Sequence, residues 1–140
     1  MPNLRELENA LPVGPLKILA LDSAEKLGKR VNNYLVTFRR NMRNSSHDDP
    51  AFRGYIEDNY LVDAACPRFG SGEGKGGLHE SVRGTDLFIL VDICNHSLTY
   101  SLNGYINHKS PDDHYQDLKR MISAVGGKSK RITVIMPFLY

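Results

Sequence analysis

Phe69-Gly-Ser-Gly-Glu-Gly-Lys-Gly-Gly77 is the stretch of this chain whose residue types and spacing could do chemistry. Within it, Gly72-Glu-Gly74-Lys-Gly-Gly77 formally matches GxGxxG, the dinucleotide fingerprint. That fingerprint works only when a strand precedes it and a helix starts at its end, because the helix N-terminus binds the pyrophosphate. Leu78 to Val82 is too short for such a helix, so the match is formal only. A Walker A loop needs GxxxxGK followed by Ser or Thr, and here Lys75 is followed by Gly76. On glycine content alone the stretch reads as a flexible hairpin connection. Phe69 adds a specific possibility, since Glu73 follows it four residues on. An exposed aromatic ring can stack on a purine, and a neighbouring carboxylate can accept a hydrogen bond from the exocyclic amine.

Other reactive residue types have simpler readings. His79, His96, His108 and His114 are neither paired at i,i+4 nor grouped with cysteine at ligand spacing, so they read as scattered surface histidines. Asp112 and Asp113 resemble a catalytic acid pair, but their place at a helix start reads as capping. Arg83 and Glu80 read as a turn-stabilising pair, and Cys94, at the end of an apolar run, as a small core residue. No nucleophile–base pair stands out. Arg39, Arg40 and Arg43 crowd one stretch and Lys128, Lys130 and Arg131 another, which reads as solvated helix ends.

The elements that must position these residues alternate between strand and helix. Leu16 to Leu21 suits a buried strand; Asp22-Ser23 offers a helix N-cap. Ala24, Leu27, Val31, Tyr34, Leu35, Phe38 and Met42 then recur at spacings of three and four, which predicts one long amphipathic helix. Asn44 to Pro50 is a breaker cluster. Asn59 to Cys66 predicts a strand, Leu78 to Val82 a short one, and Asp86 to Cys94 a strand covered on both faces. Asn95 to Lys109 reads as a polar loop. Ser110-Pro-Asp-Asp113 spells a helix start, with Tyr115, Leu118, Met121, Ile122 and Val125 as its apolar face and Gly126-Gly127 as its end. Arg131 to Tyr140 reads as a final buried strand. This order predicts an α/β fold: a largely parallel sheet with helices on both faces.

At 140 residues the chain is the size of one domain, and 41% hydrophobic with 24% charged residues is ordinary for a folded globular protein. No apolar run approaches the ~20 residues of a membrane span. A net charge of +2 is too small to argue for nucleic acid or membrane binding. The acidic N-terminus lacks the apolar core of a secretory signal, and two cysteines without CxxC spacing fit a reducing cytoplasm. Ligands in open α/β sheets bind beyond the carboxyl ends of the strands. A strand running into Tyr140 therefore raises the expectation that these residues are one piece of a larger nucleotide-using enzyme.

Several stretches together resemble ribose-phosphate pyrophosphokinase, the phosphoribosyl pyrophosphate (PRPP) synthetase family. They are Ala24-Glu-Lys-Leu27 with Tyr34-Leu35, Arg68-Phe-Gly-Ser-Gly-Glu73, Glu80-Ser-Val-Arg-Gly-Thr-Asp86, Leu87-Phe-Ile-Leu90, Asp112-Asp113 and Arg131-Ile-Thr-Val-Ile-Met-Pro137. Their order holds from Leu16 onward; extra material from about Val36 to Asn59 looks like a divergent bacterial subfamily. The resemblance implies the first of two tandem phosphoribosyltransferase-like domains, with residues 1–140 ending before the catalytic segment and the second domain. It implies transfer of the diphosphoryl group of ATP to ribose 5-phosphate, giving PRPP and AMP. It implies Mg²⁺ held mainly by residues beyond this chain, and a cytoplasmic homo-oligomer built on dimers, with a hexamer as one form. By position, the family's adenine contacts, made to ATP of a neighbouring subunit, fall on Phe69, Ser71 and Glu73. Ser71 stands where the family has Asp or Asn. The Gly70 and Ser71 departures leave open a second reading, a non-catalytic partner keeping the fold and interface; a stand-alone flavodoxin-like binding module is a third.

Overall fold

The computed structural model describes residues 10–41 and 50–140. Its centre is a parallel sheet in the order β1 (Leu16–Ala20), β4 (Asp86–Leu90), β7 (Arg131–Ile135). Ile18 lies opposite Phe88 and Phe88 opposite Thr133, which fixes which side chains share a face. Leu19, Leu87 and Ile89 point to one face and pack on Leu118, Met121 and Val125 of helix α2 (Pro111–Val125). Ile18 and Leu90 point to the other, towards Ala24 and towards Val31 and Leu35 of helix α1 (Glu25–Asn41). A parallel β–α–β order demands this layering, because each crossover helix must cover a sheet face. The continuous apolar character of β4 follows: Leu87, Ile89 and Leu90 are all buried.

Helix α1 differs from the predicted face. Leu27 and Tyr34 point outward, and Tyr34 stacks on Phe38 at 5.9 Å between ring centroids. The residues turned inward and buried are Gly28 and Asn32. Gly28 lets the helix approach β1 closely: a Cβ there would sit 2.4 Å from the Ala20 Cβ. Asn32 is buried because its side-chain oxygen accepts the Tyr60 N–H at 2.8 Å. Gly28→Ala should therefore destabilise the protein by about 1–3 kcal/mol in denaturant titration, as overpacking does, and Ala20→Gly should restore part of the loss in the double variant. The start of α1 also differs. A 3-10 turn over Asp22–Ala24 leads in without a side-chain cap. Ser23 instead accepts the Asp92 N–H on its hydroxyl at 3.1 Å, tying the ends of β1 and β4 together. Met42, Arg43 and residues 44–49 of the predicted breaker lie outside the described residues.

The strand expected over Asn59–Cys66 divides in two. Leu61 bridges Ile18 in parallel, adding a short lane beside β1. β2 (Ala64–Ala65) then turns away to pair antiparallel with β3 (Gly77–Leu78). β7 is not buried as expected. Among the described residues it pairs on one side only, and Val134 and Ile135 are exposed.

The segment 95–109, expected to be a loop, carries an antiparallel hairpin of β5 (Thr99–Leu102) and β6 (Tyr105–His108). Asn103 and Gly104 at its tip have φ of 51° and 82°, the pair of left-handed residues a type I′ turn requires. Helix α2 starts and stops as the sequence predicts. The Ser110 hydroxyl accepts the Asp113 N–H, the Asp113 carboxylate accepts the Ser110 N–H, and Gly126 ends the helix in the left-handed region.

Candidate functional site

Ala64 to Leu78 forms a hairpin whose stem pairs Ala65 with Gly77 and Arg68 with Gly74. At its tip the Gly72 N–H donates to the Phe69 carbonyl at 2.9 Å and the Phe69 N–H to the Glu73 carbonyl at 2.8 Å. Gly72, with φ of 91°, closes this three-residue loop as a bulge. The geometry places Phe69 and Glu73 side by side on the two arms, with Ser71 in the turn between them. All three are exposed, Phe69 by 46%.

Two further glycines serve packing. A Cβ on Gly76 would lie 2.6 Å from the Arg120 carbonyl of α2, and one on Gly74 would lie 3.0 Å from the Arg120 guanidinium. They let the hairpin's return arm run along α2 at backbone distance. The GxGxxG match thus falls on a hairpin between two short strands, with Gly72 needed for a turn and Gly74 for close approach. The flexible connection expected from glycine content is a packed stem with an exposed tip.

Behind the hairpin lies a buried ionic cluster that sequence reasoning missed. Asp117, with 4% of its side chain exposed, accepts from Lys109 at 3.0 Å and from Arg120 at 2.8 Å. The Cys66 thiol donates to the same carboxylate at 3.3 Å. Burial, and then the Asp117 charge, push that thiol up to about 11, which keeps it protonated at neutral pH. Arg68 donates to Asp113 at 2.8 Å. Burial alone would raise the Asp113 carboxyl. The Ser110 N–H and hydroxyl, together with Arg68, outweigh it and hold the carboxyl below its ordinary value. Asp113, Asp117 and Arg120 sit four and three residues apart, so their shared helix face was visible in the sequence. Nothing in that spacing announced that the face would be buried.

Other expectations resolve differently. His114 is buried rather than superficial, its Nε2 at 2.8 Å from the Asn95 carbonyl oxygen. Cys94 is exposed rather than core. Glu80 pairs with Lys17 at 3.4 Å and accepts the Asp63 N–H at 2.8 Å, so its partner is not Arg83. Asp112 accepts from the Tyr140 hydroxyl, while Asp113 completes the capping box with Ser110. Arg39 lies over the Tyr55 ring at 4.2 Å, Arg40 pairs with Asp58, and Arg131 pairs with Asp86 at 2.5 Å. Among the described residues no group of three or more His, Cys, Asp or Glu could hold a metal ion. No described helix is long and apolar enough to cross a membrane.

The profile of the N-terminal domain of ribose phosphate pyrophosphokinase matches residues 16–140, from the first strand through the last. No curated protein matches the chain. Among the described residues the three-stranded parallel sheet with a helix on each face is consistent with a phosphoribosyltransferase-like N-terminal domain. The chain belongs to the family of the N-terminal domain of ribose phosphate pyrophosphokinase.

Proposed function

We propose that this chain serves a ribose-phosphate diphosphokinase and that its part is to grip the adenine of ATP. The observation that carries the reading is the tip of the hairpin, where an exposed aromatic ring and a carboxylate flank one three-residue turn. Phe69 stacks on the purine and Glu73 accepts from its exocyclic amine. Ser71, in the turn, offers a hydroxyl where the family has Asp or Asn. An exposed tip fits a site completed by a neighbouring subunit, as the family resemblance implies. In the reaction, the 1-hydroxyl oxygen of ribose 5-phosphate bonds to the β-phosphorus of ATP, the bond from that phosphorus to AMP breaks, and the hydroxyl proton is released. Such transfer depends on positioned cations around the phosphates more than on a covalent nucleophile. In this proposal those groups, Mg²⁺ included, lie outside the residues described here.

A second reading, the non-catalytic partner, draws on the same turn. A Cβ on Gly70 would meet nothing within 4 Å and Ser71 is exposed, so neither departure from the family is required by packing. The two separate by assay of the whole encoded protein with ATP, ribose 5-phosphate and Mg²⁺. The enzyme yields AMP and PRPP in equal amounts. Nucleotide binding without AMP release would select the partner.

A further inference from the structure

Arg68 opens the arm that leads to Phe69, yet its own side chain turns inward, with 10% exposed. One terminal nitrogen donates to the Gly72 carbonyl at 3.0 Å, inside the turn it precedes. The other donates to Asp113 at 2.8 Å, at the start of α2. The guanidinium carbon Cζ lies 4.7 Å from the centroid of the Tyr100 ring, on the β5–β6 hairpin. The same hairpin reaches the turn a second time, for a Cβ on Gly72 would lie 3.3 Å from a Leu102 methyl. Arg68 Nε is buried without a hydrogen-bond partner among the described residues. An orphaned buried donor is destabilising, so the contacts of the other two nitrogens must outweigh it.

We infer that Arg68 is a positioning residue: braced by Asp113 and Tyr100, it holds the 69–73 turn in the shape that presents Phe69 and Glu73 to adenine, and so sets ATP affinity without touching the nucleotide. The inference rests on the adenine reading proposed above. Its physical basis is preorganisation, since a turn ordered before binding does not lose that freedom on binding. A planar fork is needed because two acceptors on different elements must be reached at once with a ring beneath; a lysine ammonium keeps the charge and loses the fork. The β5–β6 hairpin thereby acquires a role, as the outer wall that keeps the guanidinium in place.

The test uses the whole encoded enzyme, with Arg68→Lys, Tyr100→Leu, Tyr100→Phe and Phe69→Ala. Arg68→Lys should raise the KM for ATP about tenfold, as loss of charge-assisted bonds does, with kcat and the KM for ribose 5-phosphate within about twofold. Tyr100→Leu should raise it about threefold, and Tyr100→Phe, which keeps the ring under the cation, should leave it unchanged. Amide exchange at Phe69 and Gly72 should accelerate in Arg68→Lys and Tyr100→Leu, while β1 and β4 stay protected. An unchanged KM for ATP in Arg68→Lys beside a raised one in Phe69→Ala overturns the positioning role and leaves the adenine reading standing. Equal losses on both substrates with a lowered kcat make Arg68 merely structural and also overturn it. No shift in Phe69→Ala removes the adenine reading and this inference with it.

Discussion

Replacing Phe69 with alanine is expected to raise the KM for ATP by about 5- to 150-fold, the range that corresponds to loss of one base–aromatic stack. The KM for ribose 5-phosphate should stay within about twofold, because the pentose makes no contact with the hairpin in this account. The change should be harmless to folding. Phe69 is 46% exposed, and the turn it flanks is held by main-chain bonds from Phe69, Gly72 and Lys75 that survive truncation of the ring. A thermal midpoint close to that of the parent protein would verify this. Equal effects on both substrates would remove the adenine role.

Asp117→Ala is the substitution expected to cost the most stability. Its carboxylate is shared by Lys109, Arg120 and the Cys66 thiol, in a place where Lys109 is only 7% exposed. Removing it strands a buried ammonium, and breaking one partner of a buried pair costs about 3–5 kcal/mol. Against a domain stability of about 5–15 kcal/mol, that is a large fraction, and the thermal midpoint should fall by about 10 °C or more. The loss is one of pairing rather than of volume, and a double variant distinguishes the two. Asp117→Leu with Lys109→Met removes both charges and keeps side-chain volume, so it should recover most of what Asp117→Ala loses in urea titration. Failure to recover would place the cost in packing or in Arg120 instead.

The parts of the fold that could be read beforehand are those where one physical signal acts alone. Helix α2 is bracketed by a capping box at Ser110 and Asp113 and a left-handed Gly126, and both ends were readable as local chemistry. β1 and β4 are apolar because both faces of the sheet are covered, and composition reports that directly. Helix α1 misled because hydrophobic periodicity counts apolar residues only. Val31 and Leu35 pack on the sheet as predicted, but the most buried positions are Gly28, which allows close approach, and Asn32, which accepts the Tyr60 N–H, and neither scores as apolar. Apolar composition likewise cannot tell a central strand from an outer one, so β7 read as buried. The β5–β6 hairpin was hidden by its polar residues, although Asn103-Gly104 is the strongest short turn signal a sequence carries.

At the candidate site, Phe69 and Glu73 could be singled out from residue type and spacing, and the structure sets them beside each other at an exposed tip. Arg68 could not. Its distant partners, Tyr100 on the β5–β6 hairpin and Asp113 and Asp117 on α2, come from elements that only folding brings to it. The buried cluster around Asp117 was hidden for the same reason, since Lys109 and Cys66 approach it from different elements.

The account stands or falls on whether adenine meets this turn. Photolabelling the assembled enzyme with 8-azido-ATP, followed by peptide mapping, reports that contact without relying on turnover. Label should fall on the peptide containing Phe69 to Glu73, be displaced by excess ATP, and vanish in Phe69→Ala. Displaceable label confined to other peptides, or unchanged in that variant, would contradict it.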